Sequence, residues 1–319
     1  MSEENEDCFP NGSLFLVGNT ASGKSSLAIE LARQRPNIEI VSVDSMAIYK
    51  GMDIGTATPT VAEQQEVPHH VINIANPYED FALPLFQIAV KDALKSISNR
   101  GHRAVLVGGT GLHVRAIVDD LEVPPRFLEI RTEIELVNET SFLYEKLKDL
   151  DPVAAEKIEP ENRRRIVRAL EVTLGAGRPF SSFGPGLDVY KPSPFTQMGI
   201  RLPREVNDKR IAERYIKQID DGFVEEVRSL VDGGKELSKT ASQALGYKEI
   251  ISYLNGENTL EDAVDSAVSS TRRFSRRQES WFRRDPRIEW IDVENDPLEA
   301  LESVINRFDA IGQNTFNEV

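Results

Sequence analysis

Short apolar and β-branched runs alternate with stretches of helical spacing through the first third of the chain. Ser13–Val17, Ile38–Val43 and Ala104–Val107 read as buried strands, and Val67–Ile74 as a further short one. Between them, Ser26–Arg33 and Leu83–Asn99 place apolar residues at helical spacing, while Gly51–Thr60 reads as loop. Strands alternating with helices predict parallel βαβ units with right-handed crossovers. The pattern changes near Leu121. After Pro124-Pro125 come only helical segments, about Leu128–Asn138, Ser141–Leu150, Ala154–Ile158 and Asn162–Leu174, and then a Gly-, Pro- and Ser-rich loop from Gly175 to Pro194. A strand at Gln197–Leu202 resumes the first pattern, followed by helices at Val206–Asp220, Phe223–Asp232, Gln243–Leu254 and Leu260–Phe282. The alternation of Arg287–Val293 is suited to rejoining the sheet, and the last residues read as frayed. Residues 1–120 and 195–319 therefore form a core, and 121–194 a helical insertion.

Length permits a large buried core, as one large or two linked domains. A hydrophobic share of 40% and a charged share of 28% fit a globular chain in water. Met1–Asp7 is acidic and polar, unlike a signal peptide, and no apolar run approaches the roughly 20 residues of a membrane span. The single cysteine, Cys8, excludes an intrachain disulfide, and His69, His70, His102 and His113 offer no zinc-ligand spacing. A cytoplasmic location is expected. The net charge of -14 disfavours anionic partners globally, but salt confines surface charge to about 10 Å, so local arginine patches can still capture them.

The segment Gly18-Asn19-Thr20-Ala21-Ser22-Gly23-Lys24-Ser25 lies between the first strand and the first helix. Strand, glycine-rich loop and helix turn the pattern G-x-x-x-x-G-K-[ST] into a polyphosphate site. The glycines let backbone N–H groups converge, the helix N-terminus adds positive potential, Lys24 adds a cation and the Ser25 hydroxyl can hold Mg²⁺. The fold class is thus α/β: a P-loop NTPase-like parallel sheet flanked by helices, with a helical insertion domain. By itself the loop suits ATP as well as any other polyphosphate.

Ligands of open parallel sheets bind beyond the carboxyl ends of the strands, where Gly18–Ser25, Asp44 and Gly108–Gly111 all fall. The strand ending at Val107 runs into Gly108-Gly109-Thr110-Gly111 and offers no acid, so Asp44 is the acid best placed beside the phosphates. It serves either as a general base or Mg²⁺ partner, or as the cap of the following turn. Two arginine clusters stand out. Asn162–Glu171 holds Arg164 and Arg168 on one face, with Arg165 and Arg168 as neighbours. Thr271–Arg284 carries six arginines among Phe274, Trp281 and Phe282. Such a segment fits phosphate contact and base stacking, or an amphipathic helix with its aromatics in the core.

Taken together, these residues resemble the tRNA dimethylallyltransferases of bacterial type, the IPP transferase family. The resemblance runs through Thr20–Ser25, Asp44-Ser45-Met46, Tyr49–Ala57, Pro68-His69-His70, Val107–Leu112, Arg164–Glu171, Gly246–Glu249 and Arg277-Gln278, in order. It implies transfer of a dimethylallyl group from dimethylallyl diphosphate to N6 of the adenosine adjacent to the anticodon in tRNA, with Mg²⁺ as cofactor and a monomer expected. In family-like roles Asp44 takes the N6 proton and Thr20 donates to the oxygen bridging prenyl group and diphosphate. Lys24, Arg210 and Arg214 stabilise the leaving diphosphate, where preorganised donors gain most. The resemblance places Asp44, Ser45, Met46, Ala47, Thr110 and Arg131 against the tRNA. It adds Arg164, Arg165, Ile166, Val167 and Arg168 from the first cluster. Gln243, Gly246, Tyr247 and Lys248 follow, then Arg276, Arg277, Gln278, Trp281 and Arg283. The insertion would clasp the anticodon stem-loop, whose unpaired adenine can be flipped out at modest cost.

Four positions depart from the family pattern: Ala47 stands for Gln, Asn73 for Asp, His113 for Tyr and Asn19 for Pro. Three other readings share the phosphate loop. An adenylate isopentenyltransferase would use free adenine nucleotide; the insertion and the arginine clusters favour tRNA instead. A nucleotide-gated RNA-binding protein would not need Asp44 at the phosphates. A small-molecule kinase would need a lid, and none is recognisable.

Overall fold

The computed structural model describes residues 12–314, so Met1–Asp7, Cys8 and the final residues expected to fray lie outside the described part. In chain order the elements are β1 (Leu14–Val17), α1 (Lys24–Gln34), β2 (Ile38–Val43), α2 (Val61–Glu66), β3 (His69–His70), α3 (Leu83–Asn99), β4 (Arg103–Gly108) and α4 (Gly111–Val118). Four helices follow, α5 (Leu128–Glu135), α6 (Thr140–Leu150), α7 (Pro152–Lys157) and α8 (Arg163–Ala176). The rest are β5 (Thr196–Arg201), α9 (Arg204–Asp220), α10 (Phe223–Val231), α11 (Tyr247–Leu254), α12 (Leu260–Phe282), β6 (Ile288–Asp292) and α13 (Leu301–Asn314). Among the described residues no helix is long and apolar enough to cross a membrane.

The strands form one parallel sheet in the order β3-β2-β4-β1-β5-β6. β1 is apolar throughout because both of its faces are covered. Phe15 and Val17 join one core with Val41, Val43 and the α3 residues Phe86, Val90 and Leu94. Leu14 and Leu16 join another with Leu27 and Leu31 of α1 and Val304 and Phe308 of α13. The chain divides into two compact units, Asp119–Lys191 and the α/β body from either side of it. The Asp119–Lys191 unit holds its own core, in which Leu143, Leu147, Ala155, Ile166, Val167 and Leu170 meet.

Two local expectations are corrected, and two helices not read from the sequence appear. The Val67–Ile74 strand is reduced to His69–His70, because Val71 and Asn73 adopt left-handed backbone with φ of 61° and 52°, which ends strand geometry. The helix expected from Gln243 starts at Tyr247; Ala241–Gln243 form a separate 3₁₀ turn and Gly246 takes φ 88°. Helix α4 escapes the periodicity because Val114, Arg115, Ala116, Ile117 and Val118 are all buried, so no polar face marks it. The tail after β6 is helical as α13, held by the apolar contacts it makes beside α1.

Candidate active site

Strand register decides what the site contains. Val17 pairs with Gly108, and Gly108 with Val43. The next residues on these strands, Gly18, Gly109 and Asp44, therefore leave the sheet in one row. The phosphate loop, the Gly109-Thr110 turn and Asp44 converge there although they are distant in sequence.

In the loop, Lys24 opens α1 behind Gly23, and its ammonium donates to the Asn19 carbonyl at 3.0 Å. Burial lowers the Lys24 ammonium to about 8; Asp44 opposes that shift and Arg214 adds to it. Ser22 is fully buried and its Oγ has no partner, an unfilled hydrogen-bonding position inside the cradle. Ser25 is exposed in the first turn of α1. Two arginines of α9, one turn apart, reach the loop from outside. Arg210 Nε donates to the Ala21 carbonyl at 3.0 Å, and Arg214 Nη1 to Thr20 Oγ1 at 3.2 Å. Arg214 Nε is buried without a partner, leaving a cationic donor in reserve. The loop residues Asn19, Thr20, Lys24 and Ser25, with Arg210 and Arg214, thus form one positively charged group.

Asp44 Oδ1 accepts from the N–H groups of Met46 at 2.7 Å and Ala47 at 3.3 Å. The turn-cap reading therefore holds, yet it occupies one oxygen only. Oδ2 has no hydrogen bond to a described residue, so the carboxylate is oriented and still able to accept. Ser45 Oγ pairs with Thr110 Oγ1 at 3.2 Å, joining the Asp44 turn to the β4 turn. His113 lies close enough to feel Asp44, but burial dominates and lowers it to about 4, so it is neutral near pH 7. Its ring stands edge-on to Phe86 with centroids 4.8 Å apart, and its buried Nδ1 has no partner.

The residues expected against RNA separate into exposed and interior groups. Gln243, Lys248, Arg277 and Arg283 are exposed and Arg276 partly so. Arg276, Glu279, Ser280, Arg283 and Arg284 line a groove of about 300 Å³. Tyr247 is buried instead, edge-on to Phe223 and donating to Glu226 Oε1 at 2.7 Å, and Gly246 is buried beside it. Gln278 is buried between two loops, and Trp281 packs on Gly111, where a Cβ would lie 2.3 Å from the ring. Within the Asp119–Lys191 unit, Ile166 and Val167 are core residues, 0% and 2% exposed, so neither offers a side chain to a ligand. Arg168 spends its donors on Glu171 at 2.7 Å and on the carbonyls of Pro124 and Pro125 at 2.7 and 3.2 Å. Arg131 bonds Glu135 at 2.9 Å and lies 3.6 Å from the buried Glu171. Arg164 and Arg165 are exposed.

Spacing along the chain marks neither of two side chains that build the site, although the family resemblance includes Gln278 and sets it against tRNA. Glu226 of α10 accepts from the N–H groups of Asp53, Ile54 and Gly55 at 2.8, 2.7 and 3.1 Å and fixes the loop after Asp44. Gln278 of α12 bonds both Thr20 and Gly109. Neither the acid in α10 nor the glutamine in α12 stands out from its helix by spacing.

A parallel α/β body with a glycine-rich loop after β1, two arginines over it and an oriented carboxylate after β2, two strands away, defines a P-loop-type protein. Comparison with known proteins narrows the class: the chain belongs to the IPP transferase family, whose pattern it matches over residues 47–285. It is 41% identical over 298 residues to the tRNA dimethylallyltransferase of Carboxydothermus hydrogenoformans, covering 92% of this chain and 95% of that one. It is 42% identical over 288 residues to that of Pseudarthrobacter chlorophenolicus, covering 89% and 95%. Among solved structures it is similar to the tRNA isopentenylpyrophosphate transferase of Bacillus halodurans, at 34% identity and TM-score 0.67, covering 95% and 99% of the two chains.

Proposed function

We propose that the chain transfers the dimethylallyl group of dimethylallyl diphosphate to N6 of the adenosine adjacent to the anticodon in tRNA, acting as a monomer in the cytoplasm. The observation that carries this reading is the placement of Asp44 opposite the phosphate loop at the ends of strands in register. The names of its close relatives support tRNA as acceptor and do not favour free nucleotide or a non-catalytic role. Diphosphate lies along Gly18–Ser25. The N6–carbon bond forms as the allylic carbon–oxygen bond breaks. Asp44, held by two backbone N–H groups, accepts the N6 proton through Oδ2. Thr20, oriented by Arg214, donates to the bridging oxygen, and Lys24 with Arg210 and Arg214 carries the charge that grows on the leaving diphosphate.

The residues present fit a Mg²⁺ bound with its substrate. Ser25 is an exposed hydroxyl at the helix start, Ser22 Oγ is unfilled, and Mg²⁺ commonly takes its remaining ligands from phosphate oxygens and water. Ser25 would hold it, and when bound it neutralises diphosphate charge. The anticodon stem-loop is read by the exposed cations Arg164, Arg165, Lys248, Arg277 and Arg283, with the partly exposed Arg276. The test is incubation with labelled dimethylallyl diphosphate and either unmodified tRNA or AMP. Label on the tRNA nucleoside is expected. Label on AMP alone would transfer the activity to free nucleotide, and no label on either over a Mg²⁺ series would sink the proposal.

A further inference from the structure

Helix α12 shows two different surfaces. Arg273, Arg277 and Ser280 face outward and are exposed, while Thr271, Ser275, Gln278 and Phe282 form the buried stripe. That stripe is polar where it meets the phosphate loop. Asn19 Nδ2 donates to Ser275 Oγ at 2.8 Å, and Asn207 Nδ2 of α9 donates to the same oxygen at 3.0 Å. Gln278, 6% exposed, uses both ends of its amide. Its Oε1 accepts from the Thr20 N–H at 2.9 Å and its Nε2 donates to the Gly109 carbonyl at 2.7 Å.

These two bonds join the two halves of the site. Thr20 belongs to the diphosphate side. Gly109 precedes Thr110, whose hydroxyl holds Ser45 beside Asp44 on the acceptor side. The approach is close: a Cβ on Gly109 would stand 2.9 Å from Gln278 Nε2 and 3.2 Å from the Gly18 carbonyl. A buried amide bonded at both ends is a spacer of fixed length, whereas an exposed side chain feeling for RNA is not. We infer that Gln278 is a positioning residue that sets the separation between the diphosphate loop and the Asp44 side, acting through the Thr20 N–H and the Gly109 carbonyl rather than by touching tRNA. This rests on the prenyl-transfer reading above. Group transfer depends steeply on the distance between reacting atoms, and a displacement near 1 Å can cost about a hundredfold in rate.

The test compares Gln278→Met and Gln278→Glu with the unaltered protein in kcat, in KM for dimethylallyl diphosphate, and in tRNA affinity over a salt series. Met fills the space and removes both bonds; Glu keeps the acceptor for Thr20 and loses the donor to Gly109. The expectation is that kcat falls about 30- to 100-fold, KM moves far less, and tRNA Kd and its salt slope stay within twofold. If Gln278→Met does not fold, Gln278→Glu is read by the same criteria. A weakened tRNA Kd with kcat intact at saturating tRNA would make Gln278 an RNA contact and overturn the inference. An unchanged kcat would overturn it as well. An unaltered protein that prenylates no tRNA would instead sink the functional reading, and this inference with it.

Discussion

Lys24 gives the phosphate loop a pH dependence that can be worked through. Its ammonium is lowered to about 8, chiefly by burial, so the charge that binds diphosphate is lost as pH rises through that value. The free site holds the protonated form in the proportion 1/(1 + 10^(pH − 8)), taking the pKa of about 8. From this proportion the charged fraction falls from about nine-tenths at pH 7 to about one-tenth at pH 9, roughly tenfold, or about 1.4 kcal/mol. Bound diphosphate favours the ammonium and draws the pKa upward, so the loss appears in the free site and is muted in the complex. The assay is kcat/KM for dimethylallyl diphosphate at saturating tRNA between pH 6.5 and 9.5, which reports groups on the form that meets the diphosphate. A plateau to about pH 7.5 and a tenfold fall by about pH 9 are expected, with the limb in kcat displaced to higher pH. Lys24→Arg carries a charge that does not titrate in this range, and its profile should lack the limb even where its absolute rate is lower. A flat profile to pH 9.5 in the unaltered protein, or the same limb in Lys24→Arg, would refute the assignment to Lys24.

Other consequences are as direct. Asp44→Ala should lower kcat by about 10²- to 10⁴-fold while tRNA affinity stays within twofold; collapse of tRNA binding would make Asp44 a recognition residue. Glu39, 3% exposed in its side chain, must offset burial with bonds from Arg100, His70 and His102, and these hold its carboxyl at about 2 instead of 4.5. Its contribution, about 3 kcal/mol, is present above pH 4.5 and lost as pH falls toward 2, so the urea-midpoint deficit of Glu39→Gln should shrink across that window; a pH-independent deficit would contradict it. Removing Arg164 and Arg165 should each lower the salt slope of tRNA binding by about one, whereas Arg168→Ala should leave the slope and instead expose the Pro124-Pro125 segment to proteolysis, since it removes the donor to both proline carbonyls and to the buried Glu171; a reduced slope in Arg168→Ala would reverse this assignment.

How much of the site was legible depended on how local its causes are. The phosphate loop is eight consecutive residues whose geometry follows from glycine conformation and a helix start, and the structure places it as read. The parallel sheet followed from the strand–helix alternation, and β6 rejoined it as Arg287–Val293 suggested. Periodicity failed at α4, where five consecutive residues, Val114–Val118, are buried, and at Val71 and Asn73, where left-handed backbone interrupts an apolar run. The arginine clusters were visible as composition, but their roles were not. Arg164 and Arg168 are equally basic in sequence, yet one is exposed and the other is consumed by Glu171 and two proline carbonyls.

By itself the sequence determined where a glycine-rich loop of phosphate-binding pattern lies, which strand and helix it joins, and that cationic segments stand at two places along the chain. Those features reside in neighbouring residues, whose spacing fixes backbone geometry. Tertiary structure alone decided that Oδ2 of Asp44 remains free, that Arg210 and Arg214 reach the loop, that Glu226 fixes Asp53–Gly55, and that Gln278 joins Thr20 to Gly109. A hydrogen bond depends on distance and direction within a few tenths of an ångström, and Thr20 and Gln278 are 258 residues apart along the chain. Only the packing of α12 against the ends of the strands brings such groups into range.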